Sequence, residues 1–283
     1  MMIPGFDFTQ SLRELLEQVP VGMVTTPLHL AHALGDPIAR RAVIEVIREK
    51  ALDVDKVTSE PTGRVFSDFR SDQPLRRLAA LQERIAKKAV MEDDFREEGI
   101  VAGIDVTYRR DGAFATCVVM DGDMKVREIS SEVSTVRFPY IPGYLSFREG
   151  PAAEAVMRAV DGYDVLMVNG HGTAHPRRCG LATYLGIRLE KPTVGVAGGL
   201  MVGEAEDGGL AMSRVIHYGV EVGAEIVREG HAPIYVSPGH RVSMASSVEI
   251  VVRMLGDGRL PEPLRLAHRE ASRIGKIGSV KED

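Results

Sequence analysis

The chain has 283 residues, 44% of them apolar, which allows one large domain or two ordinary ones with a substantial core. Its formal net charge of −5 argues against indiscriminate binding to nucleic acid, although a local basic surface can still hold phosphates. No apolar run approaches a membrane span, and the two cysteines, Cys117 and Cys179, suit neither a disulfide framework nor a metal-binding spacing.

The N-terminus has no basic-then-apolar leader pattern, so a cytoplasmic, reduced protein without a membrane partner is expected. Residues 11–19 place Leu12, Leu15, Leu16 and Val19 on one helical face, with Thr9 as the N-cap. A second helix is predicted over 27–34, stopped by Gly35, and a third over 37–50. In the third, Ala39, Ala42, Val43, Val46 and Ile47 face inward, while Arg40, Arg41 and Arg48 lie off that stripe. Two helices joined by a short Gly-containing turn, the second rich in arginine, read as a helix-turn-helix. A small helical cap with solvated arginines fits the composition as well.

Residues 67–73 are polar and read as a linker, giving domains of 1–66 and 74–283. A helix over 74–91 follows. Strands over 100–108, 113–120 and 126–138 are separated by Arg110-Asp111-Gly112 and Asp121-Gly122-Asp123, turns short enough to require an antiparallel meander. A helix over 150–160, a strand over 165–168, a helix over 176–189 and a strand over 193–197 then alternate, which implies parallel additions with right-handed crossovers. A strand over 234–236 and helices over 242–255 and 264–274 complete the chain. The expected fold is α/β: a ribonuclease H-like mixed sheet with flanking helices, preceded by a small winged-helix or helix-turn-helix domain.

Two features carry chemistry. Pro139, Pro142 and Gly143 forbid a regular helix or central strand, yet Tyr140, Ile141, Tyr144, Leu145 and Phe147 are too apolar for an ordinary loop. A rigid apolar loop of this kind suits a wedge between stacked bases; a buried tight loop is the plainer alternative. Asp105 is a lone carboxylate in an otherwise apolar strand, where burial is costly unless a cation or donor meets it. Glu149, just past the loop, is a second carboxylate for a metal or for proton transfer.

The motifs combine into something more specific. Val101-Ala102-Gly103-Ile104-Asp105, Pro139-Tyr140-Ile141-Pro142-Gly143, Phe147-Arg148-Glu149-Gly150-Pro151 and Gly170-His171-Gly172 come in a fixed order. They are followed by Ala174-His175-Pro176-Arg177-Arg178, Pro192-Thr193-Val194-Gly195-Val196-Ala197, Gly239-His240-Arg241-Val242-Ser243 and Leu260-Pro261-Glu262-Pro263. Over residues 74–275 the chain resembles the endonuclease V family of deoxyinosine-directed repair nucleases. The resemblance implies a ribonuclease H-like fold and cleavage of the second phosphodiester 3′ to inosine. It implies a Mg²⁺ site, with Mn²⁺ as substitute, formed by Asp105, Glu149 and the residue at 169, and His175 beside it. DNA contacts would come from Pro139, Tyr140, Ile141, Pro142, Gly143, Gly170, Gly172, Arg177 and Arg178. The implied partner is damaged DNA, with inosine-containing RNA a further substrate. No small-molecule cofactor is implied, and a monomer is expected.

Two positions depart from the family. Asn169 stands before Gly170-His171-Gly172 where relatives carry aspartate, and Gly198 follows Gly195-Val196-Ala197 where they carry lysine. Asparagine still offers a carbonyl oxygen, without the negative charge. A working nuclease with an altered metal site and a lesion-binding protein without catalysis both remain open.

The N-terminal segments Leu30-Ala31-His32-Ala33-Leu34-Gly35 and Ala39-Arg40-Arg41-Ala42-Val43 resemble the DNA-binding domain of alkylguanine-DNA alkyltransferases. Arg41 sits where that family has the arginine that fills the gap left by a flipped base. Pro61-Thr62-Gly63-Arg64-Val65 has Thr62 and Gly63 where the family has its nucleophilic cysteine and activating histidine. The resemblance therefore implies DNA binding without alkyl transfer.

Overall fold

The structure, a computed structural model, describes residues 6–60, 63–96, 99–109, 112–206 and 211–278. The expected Arg110-Asp111 turn and the Pro61-Thr62 position lie outside the described residues. Two compact units emerge: residues 1–81 with 137–148, and residues 82–136 with 149–283. The boundary thus differs from the polar break at 67–73. Leu75 and Leu78, and the apolar residues of the loop at 137–148, belong to the first unit because they are buried in its core.

In the first unit, α1 (Phe8–Glu17), α2 (Pro27–Leu34) and α3 (Arg40–Glu49) pack around Leu12, Leu16, Leu30, Leu34, Val43 and Ile47. Asp7, rather than Thr9, caps α1 by accepting from the Gln10 N–H. Gly35 closes α2 at φ +99°, a left-handed conformation that a β-carbon disfavours; such an atom would also sit 3.0 Å from the Arg76 backbone nitrogen. A 3-10 turn, Pro37–Ala39, then leads into α3. Isolated bridges Val24–Val65 and Thr25–Val57 add a small extended element beside the helices. The helix α4 (Pro74–Ala86) supplies Leu75 and Leu78, and stops five residues short of the expected end.

The second unit is built on a nine-stranded sheet of order β3-β2-β1-β4-β5-β9-β8-β7-β6. The meander is β1 (Val101–Arg109), β2 (Gly112–Met120) and β3 (Val126–Thr135), antiparallel as the short turns require. After α5 (Leu145–Met157), β4 (Val165–Asn169) adds parallel to β1. After α6 (Leu181–Leu189), β5 (Thr193–Ala197) adds parallel to β4. This is the expected ribonuclease H-like core. Three strands were not read from the sequence: β6 (Glu204–Glu206), β7 (Met212–His217) and β8 (Val220–Ile226). They extend the sheet beyond β9 (Ile234–His240), which runs antiparallel to β5. Helix α7 (Met244–Arg253) follows, and α8 (Glu262–Gly278) packs on β1 and β2.

Two helix starts depart from expectation. Helix α5 begins at Leu145 and keeps Pro151 in its interior. Gly150 lets it lie flush on Tyr184, whose Cε1 would stand 2.6 Å from a β-carbon there. Helix α6 begins five residues after Pro176, because Arg178 adopts φ +52° and breaks the turn before Gly180. No helix among the described residues is long and apolar enough to cross a membrane.

Candidate active site

Pairing between β1 and β4 runs from Val101–Val165 to Ile104–Val168 and stops there. Asp105 therefore sits mid-strand in β1, at the point where β4 gives out. Asn169, the last residue of β4, closes the gap: its Nδ2 donates to Asp105 Oδ1 at 2.5 Å. The other carboxylate oxygen meets His268 Nδ1 on α8 at 2.9 Å and the Thr107 hydroxyl at 3.4 Å. Asp105 is only 5% exposed, so these donors offset the cost of burying its charge. His268 matches a family position in the sequence, but no role for it followed from the residues alone. Its signal was a polar residue beside the inward stripe of Leu264, Ala267 and Ala271 on α8.

Glu149 is also buried, in the second turn of α5. Among the described residues, no three His, Cys, Asp or Glu side chains gather as a metal would need. A cation held on Asp105 would therefore draw on the amide of Asn169 as well as on carboxylates. Two carboxylates and an amide carbonyl are hard oxygen donors of the kind Mg²⁺ and Mn²⁺ take. A half-turn about the last torsion exchanges Oδ1 and Nδ2 of Asn169, so one residue can either donate to Asp105 or present oxygen. The residues present fit such a cation on chemical grounds.

His175 is buried, and its Nδ1 accepts from the Arg177 backbone N–H at 3.1 Å. Arg177 and Arg178 are not in a helix's first turn, as expected, but in the loop before α6. Arg177 Nε donates to Gln82 Oε1 at 2.7 Å, and Gln82 Nε2 donates to the Cys179 carbonyl. Gly172 faces the Pro238 carbonyl of β9, so its missing side chain serves close backbone packing rather than approach to a base. His171 bonds the Gly199 carbonyl through Nε2 at 2.8 Å; burial holds its imidazole below the ordinary range, against the raising effect of that bond. His240 is structural: its Nδ1 accepts from the Val90 N–H.

Only part of the loop in the first unit is exposed, as a wedge would require. Pro142 and Gly143 form a turn closed by the Tyr144 N–H on the Ile141 carbonyl, with Gly143 at φ +78°. Ile141, Tyr144 and Phe147 are at most 1% exposed and belong to that unit's core, so Ile141 cannot insert between bases as expected. Tyr140 projects, 55% exposed, and Pro142 is exposed beside it. On α3, Arg41 is exposed and pairs with Glu45, one turn on.

Residues 83–269 match the family model for endonuclease V. The chain belongs to the endonuclease V family. Three relatives frame it. A bifunctional methyltransferase/endonuclease of Picrophilus torridus is 33% identical over 93% of this chain and 95% of its own. That match takes in the N-terminal helices as well as the endonuclease V region. The endonuclease V structure from Streptomyces avermitilis aligns at TM-score 0.67 and 31% identity, over 72% of this chain and 94% of that one. Endonuclease V of Ciona intestinalis, in complex with DNA containing an inosine followed by a ribo-adenosine, aligns at TM-score 0.65 and 25% identity. It covers 74% of this chain and 100% of that one. Within this endonuclease V the three-residue cluster Asp105, Asn169 and His268 marks the candidate centre.

Proposed function

We propose that the chain is a metal-dependent endonuclease that cuts the second phosphodiester 3′ to deoxyinosine, and that its N-terminal helices bind DNA without transferring alkyl groups. The observation that carries this is the buried Asp105, held between Asn169 and His268 where β4 ends. Asp105, Glu149 and Asn169 would hold Mg²⁺, or Mn²⁺ in its place. When bound, such a cation acts as a Lewis acid on the phosphodiester and offsets charge on the leaving oxygen. His268 bonds Asp105 through Nδ1, and its Nε2 makes no hydrogen bond among the described residues. That nitrogen is free to exchange a proton with water. His175, buried in the turn before α6, would fix that turn beside the centre.

Tyr140 would stack on bases beside an extruded inosine. Because its ring is exposed, Tyr140→Ala should change stability by no more than about 0.5 kcal/mol. Binding to inosine DNA should weaken by about 1–3 kcal/mol, and binding to undamaged DNA by less. Titrations of both duplexes check this; equal losses would leave the ring without a lesion-reading role. Arg41 would contact DNA from α3. For alkyl transfer the first unit lacks a thiol: the chain's only cysteines are Cys117 and Cys179, and burial pushes both thiols up to about 12.

The second reading is a lesion-binding protein without cleavage. It is favoured by one observation, the hydrogen bond that the Asn169 amide gives to Asp105 Oδ1. Incubation of inosine-containing DNA, inosine-containing RNA and undamaged DNA with Mg²⁺ or Mn²⁺ separates the two. The nuclease reading expects inosine DNA to be cut, more fully with Mn²⁺, which tolerates mixed ligands better. Equal cutting of undamaged DNA would overturn the specificity.

A further inference from the structure

Gly198 lies two residues beyond Val196, the partner of Asn169 in the β4–β5 ladder. Its neighbour Gly199 is tied to His171, two residues beyond Asn169. Gly198 is thus on the same sheet edge as the Asp105–Asn169 pair. The space its side chain would fill is taken by the Arg259 guanidinium. A β-carbon at 198 would stand 3.3 Å from Arg259 Nη2 and 3.4 Å from Nη1.

That guanidinium is fixed by three carbonyls. Nη2 donates to Gly198 at 2.8 Å and Pro233 at 2.7 Å, and Nε donates to Ala232 at 3.2 Å. Nη1 keeps two N–H groups that make no hydrogen bond among the described residues, and no carboxylate among them pairs with Arg259. The residue is exposed. An oriented, uncompensated cation at the strand ends, with open N–H donors on Nη1, matches a phosphate oxygen. We propose that Arg259 is a phosphate-contacting cation of this site, standing in the space that Gly198 leaves open.

The proposal rests on the reading of this edge as the nucleic-acid site. Its test uses the full chain as Arg259→Ala, Arg259→Gln, Arg259→Lys and the double variant Arg259→Ala/Gly198→Lys. Each is measured for binding to an inosine duplex over a salt series, for single-turnover cleavage with Mn²⁺, and for melting temperature. Loss of one phosphate contact should lower the slope of log affinity against log salt by about 0.9. Cleavage should slow by about 10²-fold. Arg259→Lys and the double variant should recover most of the slope. Arg259→Gln can still donate to the carbonyls, so it should lose the slope with little loss of melting temperature, even if Arg259→Ala folds poorly.

An unchanged slope in Arg259→Ala and Arg259→Gln would overturn the proposal and leave Arg259 as a tie between loops. Failure of the double variant to recover the slope would refute the shared position. If the native chain cuts nothing, the nuclease reading falls, while the slope still judges Arg259.

Discussion

Asn169→Asp should raise metal affinity and cleavage together while weakening the metal-free protein. The Asn169 amide now donates to Asp105 Oδ1, closing the gap at the end of β4. Aspartate removes that donor and sets a second carboxylate against a buried one. Without metal, the loss of a buried charge-assisted hydrogen bond should cost about 1–3 kcal/mol, read as a lower urea midpoint. With metal, the added charge works the other way. Each 1.4 kcal/mol gained in cation binding is about a tenfold shift in affinity. Mn²⁺ at a hundred times its dissociation constant would return about 2.7 kcal/mol of stability. The signature is therefore a lower midpoint than the native chain's in chelator, together with a larger rise on adding Mn²⁺. Cleavage should rise about tenfold or more. Because Asn169-Gly170 is an Asn-Gly pair, intact mass must be checked so that deamidated chain is not mistaken for native activity. A variant equally stable with and without Mn²⁺, and no faster, would remove position 169 from the metal site.

The second large effect concerns the loop at 137–148. Tyr144 is 1% exposed, and its hydroxyl donates to Asp36 Oδ2 at 2.6 Å. The other Asp36 oxygen accepts from the Ile38 N–H, opening the turn that leads into α3. Tyr144→Ala should therefore cost about 3–5 kcal/mol, from lost packing and an orphaned carboxylate. Ile141→Ala should cost about 2–5 kcal/mol. Tyr144→Phe isolates the hydroxyl and should cost about 1.5–3 kcal/mol. Denaturant melts of the full chain check this series. Losses under 1 kcal/mol throughout would mean that the loop is not part of the first unit's core.

Much of this was legible in the residues. Turn punctuation at Gly112 and Asp121-Gly122-Asp123 fixed an antiparallel β1–β2–β3, and the apolar runs of β4 and β5 marked buried parallel strands. The helices on either side of Gly35 were equally plain, although the residues alone fitted a helical cap as well as a helix-turn-helix. What escaped had physical causes. Glu204–Glu206 is wholly exposed, so it carries no alternation to read. Pro176 mimics a helix start, yet the left-handed Arg178 delays α6 to Leu181. The loop's apolar residues looked like one wedge, but a local pattern cannot tell a ring aimed at solvent from one aimed at helices distant in sequence. His268 needed the fold, because 163 residues separate it from Asp105.

The most direct measurement is single-turnover cleavage of a 5′-labelled inosine duplex by the native chain with Mn²⁺, with the cut mapped to the nucleotide. The account predicts one product ending at the second phosphodiester 3′ to inosine, with a ligatable 3′-hydroxyl. An intact duplex that the protein nonetheless binds in preference to undamaged DNA would contradict it and establish the lesion-binding reading instead.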